Sequence, residues 1–88
     1  VLQAEFLPEG GMENPFLHLG LHLAIREQVN TDRPTGIAAI HQRLSRQRGS
    51  PLEAEHCMLD TLAETIWEAQ RAGRPPDEQD YLARLKRL

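Results

Sequence analysis

The sequence predicts an all-α fold, a small up-down helical bundle of three main helices plus a short C-terminal helix. Three observations lead to this prediction. Apolar residues recur with a helical period in four segments, each segment is bounded by residues typical of helix ends, and no segment alternates with the period of a strand. The chain has 88 residues, of which 40% are hydrophobic and 26% are charged. These values are ordinary for a globular protein, and the length excludes a barrel or a doubly wound sheet.

The first predicted helix runs from Asn14 to about Val29. Asn14 can accept hydrogen bonds from the free backbone N–H groups, and Pro15 has the fixed φ favoured at the first helical position. Residues 1–13 contain a proline and two adjacent glycines and show no sustained period. We therefore expect them to form a tail or the remnant of an upstream element, and residues 14–88 to form a single helical domain.

The second helix is predicted to begin near Thr35 and to end at Gly49, with an apolar stripe at Ile37, Ile40 and Leu44. The third follows from Ser50, which forms a capping box with Glu53, and stops at Gly73. Its apolar positions are predicted to share one face: Leu52, Leu59, Leu62, Ala63, Ile66 and Trp67.

A short fourth helix is predicted after the prolines at positions 75 and 76. Asp77 and the acidic residues after it suit the first turn, and basic residues suit the last turn. Its apolar edge consists of Tyr81, Leu82, Leu85 and Leu88.

Apolar residues cover nearly the whole circumference of the first helix, which is typical of a helix that is buried on every side. Three short helices can scarcely surround it. We therefore expect a homo-oligomer packed through this helix, or a missing N-terminal segment that covers it, and a protein partner is also possible. The candidate interface residues are Phe16, Leu17, Leu21 and Trp67.

Several separated motifs resemble an uncharacterised bacterial family, domain of unknown function 1841. They are NPFLHLGLHLAI at residues 14–25, the segment from His56 to Arg71 ending in WEAQR, RPPDE at 74–78, and Tyr81-Leu82. The resemblance covers roughly residues 8–88. It implies a small bacterial protein with more helical sequence upstream, which agrees with a chain that starts at valine, and it implies no established activity.

Four residues on two helices have the spacing of metal ligands. His18 and His22 are four residues apart on the first helix, and His56 and Asp60 repeat this spacing on the third. In an up-down-up bundle these helices run parallel. If the two helices start at the same level, the mean position of each pair along the bundle axis then differs by about 3 Å. Imidazole and carboxylate groups that converge between helices can bind a transition metal such as zinc or iron.

An ordinary polar network is the alternative interpretation of the same residues. Buried histidines are commonly held by a carboxylate, and Arg26 can pair with Asp60 or Glu64 across the helix interface. No catalytic residue is identified. The segment from His18 to His22 lacks the glutamate of a zincin helix, and Cys57 points about 100° away from its neighbour His56. The sequence therefore favours a module that acts by self-association or partner binding over an enzyme, with metal binding as the alternative.

Charge and cysteine usage exclude other classes of protein. Ten Lys and Arg against thirteen Asp and Glu give a formal net charge of −3, and no aromatic platform accompanies the arginines, so nucleic-acid binding is not expected. A single cysteine excludes an internal disulfide. The longest apolar run is too short to cross a membrane. We expect a cytoplasmic protein that does not bind membranes.

Overall fold

A computed structural model of the chain describes residues 15–88, and this part of the chain is helical without any strand. Four helices follow in order: α1 (Pro15–Thr31), α2 (Ile37–Arg48), α3 (Pro51–Ala72) and α4 (Glu78–Lys86). The predicted small all-α bundle is confirmed. Neither the longest of these helices nor any other in the described range is both long and apolar enough to span a membrane. The predicted tail at 1–13 and the cap at Asn14 lie outside the described residues.

The ends of α3 and α4 follow the local sequence signals. Ser50 Oγ accepts a hydrogen bond from the backbone N–H of Glu53 at 3.1 Å, as a capping residue does. Gly73 ends α3 with a φ of 72°, a left-handed conformation that glycine adopts without steric cost. The Asp77 carboxylate accepts from the N–H of Gln79 at 2.9 Å and caps α4. The predicted starts of α3 and α4 and the predicted end of α3 are thus confirmed.

The connection between α1 and α2 contains a cap that the sequence pattern did not indicate. α1 continues to Thr31, two residues beyond its predicted end. The Asp32 carboxylate then accepts hydrogen bonds from the N–H groups of Gly36 and Ala38, at 3.1 and 3.0 Å. These N–H groups precede or belong to the first turn of α2 and have no partner within the helix. A side chain in the loop therefore determines where α2 begins.

The core lies around α3, which packs against each of the other three helices. The predicted stripe of α2 is buried in full, and so are three of the four predicted apolar residues of α4. The fourth, Leu88, packs against the core from its edge. The largest fully buried side chains are Ile25, Ile37, Leu44, Met58, Leu59 and Leu85.

The buried face of α3 is broader than predicted and partly different. Leu52 is exposed, so its assignment to the core face was wrong. Thr61 and Thr65 are buried instead, and each donates its hydroxyl to the backbone carbonyl four residues earlier, at 3.1 and 2.8 Å. A helix with three neighbours buries a wide arc. Threonine is tolerated there because its only polar group is satisfied within the helix.

α1 buries one side and exposes the other. Leu21 and Ile25 join the core, whereas Phe16, Leu19 and Leu23 are 84%, 56% and 55% exposed. The prediction that Leu21 is an interface residue was therefore wrong, because this chain's own core covers it.

The other predicted interface residues differ in exposure. Leu17 is half-buried against the core. Trp67 is half-buried beneath the Arg71 guanidinium, which lies 4.7 Å from the ring centroid. A role for these residues or for Phe16 in an interface stays a prediction.

Candidate metal centre

Three imidazole rings converge between α1 and α3. The ring centroid of His22 lies 4.6 Å from that of His18 and 4.8 Å from that of His56, and the remaining pair is 5.9 Å apart. Each ring presents one nitrogen, and these three nitrogens lie within 4.8 Å of one another. All three side chains are half-buried. The structure thus brings together three of the four residues that the sequence indicated as metal ligands.

The closest nitrogens already have nearly the spacing of two ligands on one ion. The Nε2 atoms of His18 and His22 are 3.0 Å apart. Zn–N bonds of about 2.0–2.1 Å in a tetrahedron place two nitrogens roughly 3.3 Å apart. His56 must close a gap of at most about 1.5 Å to complete a three-nitrogen set. Side-chain rotation can supply a displacement of this size.

Asp60 does not belong to this cluster. Its side chain is exposed, and it is not one of the residues whose ligand atoms converge. Asp60 lies 40° around the helix from His56, toward solvent, while Glu55 lies 100° away on the opposite, buried side. The prediction of Asp60 as a ligand was wrong because equal spacing along two helices does not determine which way each row faces.

Glu55 is the carboxylate that meets the histidines. Only 6% of the residue's surface is exposed, and its two carboxylate oxygens have different partners. Oε2 accepts a short hydrogen bond from His22 Nδ1, and Oε1 accepts from Arg26 Nε at 3.0 Å. A carboxylate on the second ring nitrogen is the usual way in which proteins orient a metal-binding histidine. Sequence reasoning missed Glu55, although its position one turn before Leu59 pointed to the core.

The electrostatics of Glu55 determine which nitrogen of His22 is available. Burial alone would raise the pKa of Glu55, but hydrogen bonds and charge from Arg26 and His22 outweigh burial and hold the pKa below its ordinary value. The ionised carboxylate can only accept, so Nδ1 of His22 carries the proton. In the neutral ring, Nε2 then carries the lone pair, and it lies within hydrogen-bond distance of His18 Nε2, at 3.0 Å.

The relation between α1 and α3 also differs from the parallel register that we expected. In that register Arg26 would lie level with Leu62, yet it binds Glu55, seven residues earlier. The last turns of α1 lie near the first turn of α3, where Val29 and Leu52 line one cleft. The predicted pairing of Arg26 with Asp60 or Glu64 was wrong, but a polar network of the same kind exists as Arg26–Glu55–His22–His18.

Glu64 belongs to a separate charge cluster between α3 and α4. Arg84 donates to Glu64, Glu68 and Asp80 at 3.2, 2.6 and 3.0 Å. These three bonds use every nitrogen of the guanidinium. Because the carboxylates are exposed, these ion pairs contribute modestly to stability. They link the second half of α3 to α4.

Comparison with known proteins identifies a family. A family model described as Domain of unknown function (DUF1841) matches residues 1–87. No curated protein and no solved structure matches the chain. The family description assigns no activity, so the geometry of the histidine cluster is the basis on which a function can be proposed.

Proposed function

We propose that this chain, which belongs to the DUF1841 family, binds one divalent transition-metal ion through His18, His22 and His56. The observation that supports the proposal is the convergence of three imidazole nitrogens within 4.8 Å, supplied by two helices. His18 and His22 come from successive turns of α1, and His56 comes from the second turn of α3. A bound ion would therefore join the two helices.

The donor set favours zinc among the common metal ions. Magnesium and calcium prefer oxygen ligands, whereas neutral imidazole suits zinc and its neighbours in the first transition row. Three histidines leave one position of a zinc tetrahedron for water or an external ligand, which is the arrangement of an open site. Iron is the second candidate, because imidazole also binds it.

The environment of His22 supports a role as a metal ligand. A histidine that serves only as a core polar group needs one partner, and Glu55 already provides it at Nδ1. The lone pair at Nε2 lies beside His18 Nε2, and the His56 ring packs against the His22 ring with its centroid 4.8 Å away. Glu55 is itself held by Arg26, so the ring is oriented by a chain of two charged residues.

Zinc titration of metal-free protein tests the proposal. We expect one ion per chain, and a zinc concentration of 100 Kd stabilises the fold by about 2.7 kcal/mol. For a chain of this size, that energy raises the Tm by about 10 °C or more. Cobalt(II) in place of zinc should give the visible absorption of a tetrahedral ion.

Two variants identify the ligands. His56→Asn removes the only ligand from α3 and should abolish the thermal shift, whereas Asp60→Asn, one turn later on the same helix, should retain it. Absence of a metal-dependent shift in the wild-type chain contradicts the proposal. Equal metal binding by the wild type and His56→Asn contradicts it as well.

A second candidate function, self-association, is favoured by the solvent-facing side of α1. Leu19 and Leu23 lie one turn apart and are more than half exposed in the chain. We propose that a second copy covers them. Light scattering of the wild type should then give a dimer that Leu23→Lys converts to a monomer, while Ala83→Lys on the exposed side of α4 has no effect. A monomeric wild type eliminates this candidate.

A further inference from the structure

A cleft of about 520 Å³ adjoins the candidate metal centre and shares two residues with its polar network. Arg26 and Glu55 line it together with Val29 and Asn30 from α1, His41 from α2 and Leu52 from α3. The volume lies within the range of small-ligand sites. None of the three proposed metal ligands lines the cleft, so a molecule bound there would contact the metal centre only through Arg26 and Glu55.

Arg26 enters this cleft with most of its hydrogen-bonding capacity unused. Its Nε donates to Glu55, and its two Nη groups make no hydrogen bond to any residue of the described range. The side chain is 61% exposed. A planar pair of Nη groups matches the two oxygens of a carboxylate or a similar oxyanion. An anion can therefore bind Arg26 without displacing Glu55.

The negative charge of Glu55 does not block such an anion. Both of its oxygens accept hydrogen bonds, one from His22 and one from Arg26, and the group is buried. The Asn30 amide and the His41 ring add hydrogen-bond donors to the lining of the same cleft. Val29 and Leu52 contribute apolar surface. This combination fits a carboxylate that carries a short aliphatic chain.

In a larger cleft, the most buried cation is not available to a ligand in the same way. This cleft measures about 870 Å³ and lies between α3 and α4. Its most buried cation, Arg84, is already bound by three carboxylates, and Arg71 lies over the ring of Trp67. An anion that bound Arg84 would compete with these carboxylates, whereas the Nη groups of Arg26 have no hydrogen-bond partner among the described residues.

We propose that the cleft lined by Arg26 binds a small aliphatic carboxylate, and that its occupation is coupled to metal binding through the Arg26–Glu55–His22 chain. The coupling rests on the proposed metal-binding function, whereas the carboxylate site does not. An anion on the Nη groups offsets the positive charge of Arg26, which is linked to the histidine cluster through Glu55, and so lowers the charge repulsion that a bound cation meets there. Anion and metal ion therefore favour each other's binding.

Butyrate is a suitable probe, and butyramide is its neutral control. With metal-free, isotope-labelled protein, butyrate should shift the backbone amide resonances of Asn30, His41 and Leu52, and butyramide should not. Arg26→Gln should weaken butyrate binding about tenfold. Arg74→Gln, an exposed arginine on another part of the surface, should leave binding unchanged. Asn30→Ala provides a second variant at an exposed position, in which folding is not at risk, and it should also weaken binding.

Two results overturn the carboxylate site. One is an equal response to butyrate and butyramide. The other is a butyrate affinity that neither Arg26→Gln nor Asn30→Ala lowers.

The zinc affinity measured with and without saturating butyrate tests the coupling. We expect butyrate to tighten zinc binding about fivefold, and zinc to tighten butyrate binding by the same factor, since coupling is reciprocal. The same measurement on Arg26→Gln corrects for zinc that butyrate binds in solution. An unchanged zinc affinity overturns the coupling. Butyrate binding through Arg26 without any zinc binding supports the carboxylate site and contradicts the proposed function, so the two failures are distinguishable.

Discussion

Replacement of Glu55 by glutamine is the sharpest test of how the histidine cluster is organised. The side chain of Glu55 is 8% exposed, and it accepts from His22 Nδ1 and from Arg26 Nε. Glutamine has the same shape, but only its oxygen can accept. Its amide group must face one of the two donors, so one hydrogen bond is lost and two donors oppose each other.

The expected loss of stability follows from the exposure of the two partners. The side chain of His22 is 13% exposed, so its unpaired N–H carries most of the penalty of about 1–3 kcal/mol for a buried group left without a partner. The side chain of Arg26 is 61% exposed and can turn to water, so its bond contributes at most about 1 kcal/mol. We therefore expect Glu55→Gln to lower the free energy of unfolding by about 2 kcal/mol.

The effect on metal binding is separate and larger. A carboxylate that orients a ligating histidine typically contributes tenfold to a hundredfold in metal affinity. We expect Glu55→Gln to weaken zinc binding by this factor, measured by competition with a chelator of known affinity. Urea denaturation of the metal-free protein gives the stability change independently, so the two effects are not confused.

Glu64→Gln on the same helix is the matched control. It removes an exposed carboxylate whose pairing with Arg84 is screened by solvent, so it should cost at most about 1 kcal/mol and leave zinc affinity unchanged. If Glu55→Gln binds zinc as tightly as the wild type, Glu55 does not orient a metal ligand and our interpretation of the network is refuted.

Three further predictions concern the core, the charge cluster and the tyrosine. Leu59→Ala should lower the free energy of unfolding by about 2–5 kcal/mol in urea denaturation, and Leu52→Ala by much less, since only Leu59 is buried. A hydrogen bond from Arg84 lowers the pKa of Glu68, so the stabilisation is present above the carboxyl's ordinary pKa and is lost on acidification. Urea denaturation at pH 7 and pH 3 should therefore show a smaller acid loss in Arg84→Gln than in the wild type, and equal losses would contradict this. Burial raises the pKa of Tyr81, the only tyrosine of the chain, so absorbance titration should find its ionisation well above pH 10 while the chain is folded and near pH 10 in urea. The stabilisation due to a neutral Tyr81 is thus complete below pH 10 and declines above it, and an ordinary pKa in the folded chain would refute the burial.

The helices themselves were largely predictable because their ends depend on neighbouring residues. The bond from the Glu53 backbone to Ser50 spans three residues, and the left-handed turn at Gly73 depends on that residue alone. The cap of α2 was not predicted, since Asp32 reaches it from the preceding loop. Signals that act within a few residues are readable in a sequence, and those that reach across a loop are harder to assign.

The histidine cluster was predictable in part for the same reason. His18 and His22 are four residues apart on one helix, so their proximity follows from helical geometry alone. The approach of His56 depends on where α3 meets α1. The sequence prediction assumed that the two helices run parallel from level caps, and it selected His56 although that register was wrong. The same argument selected Asp60, because it counted height along the helix and did not determine the rotation of α3.

By itself, the sequence determined that residues 15–88 form four helices, which residues cap the third and fourth, and that two imidazoles stack on the first. Only the packing of the helices decided that Glu55 and not Asp60 faces His22, that Arg26 closes the network, and that Leu21 is buried while Leu19 is exposed. The reason is physical. Helix formation and capping are governed by interactions within about four residues. The rotation and crossing of a helix are instead set by how all the buried side chains fit together.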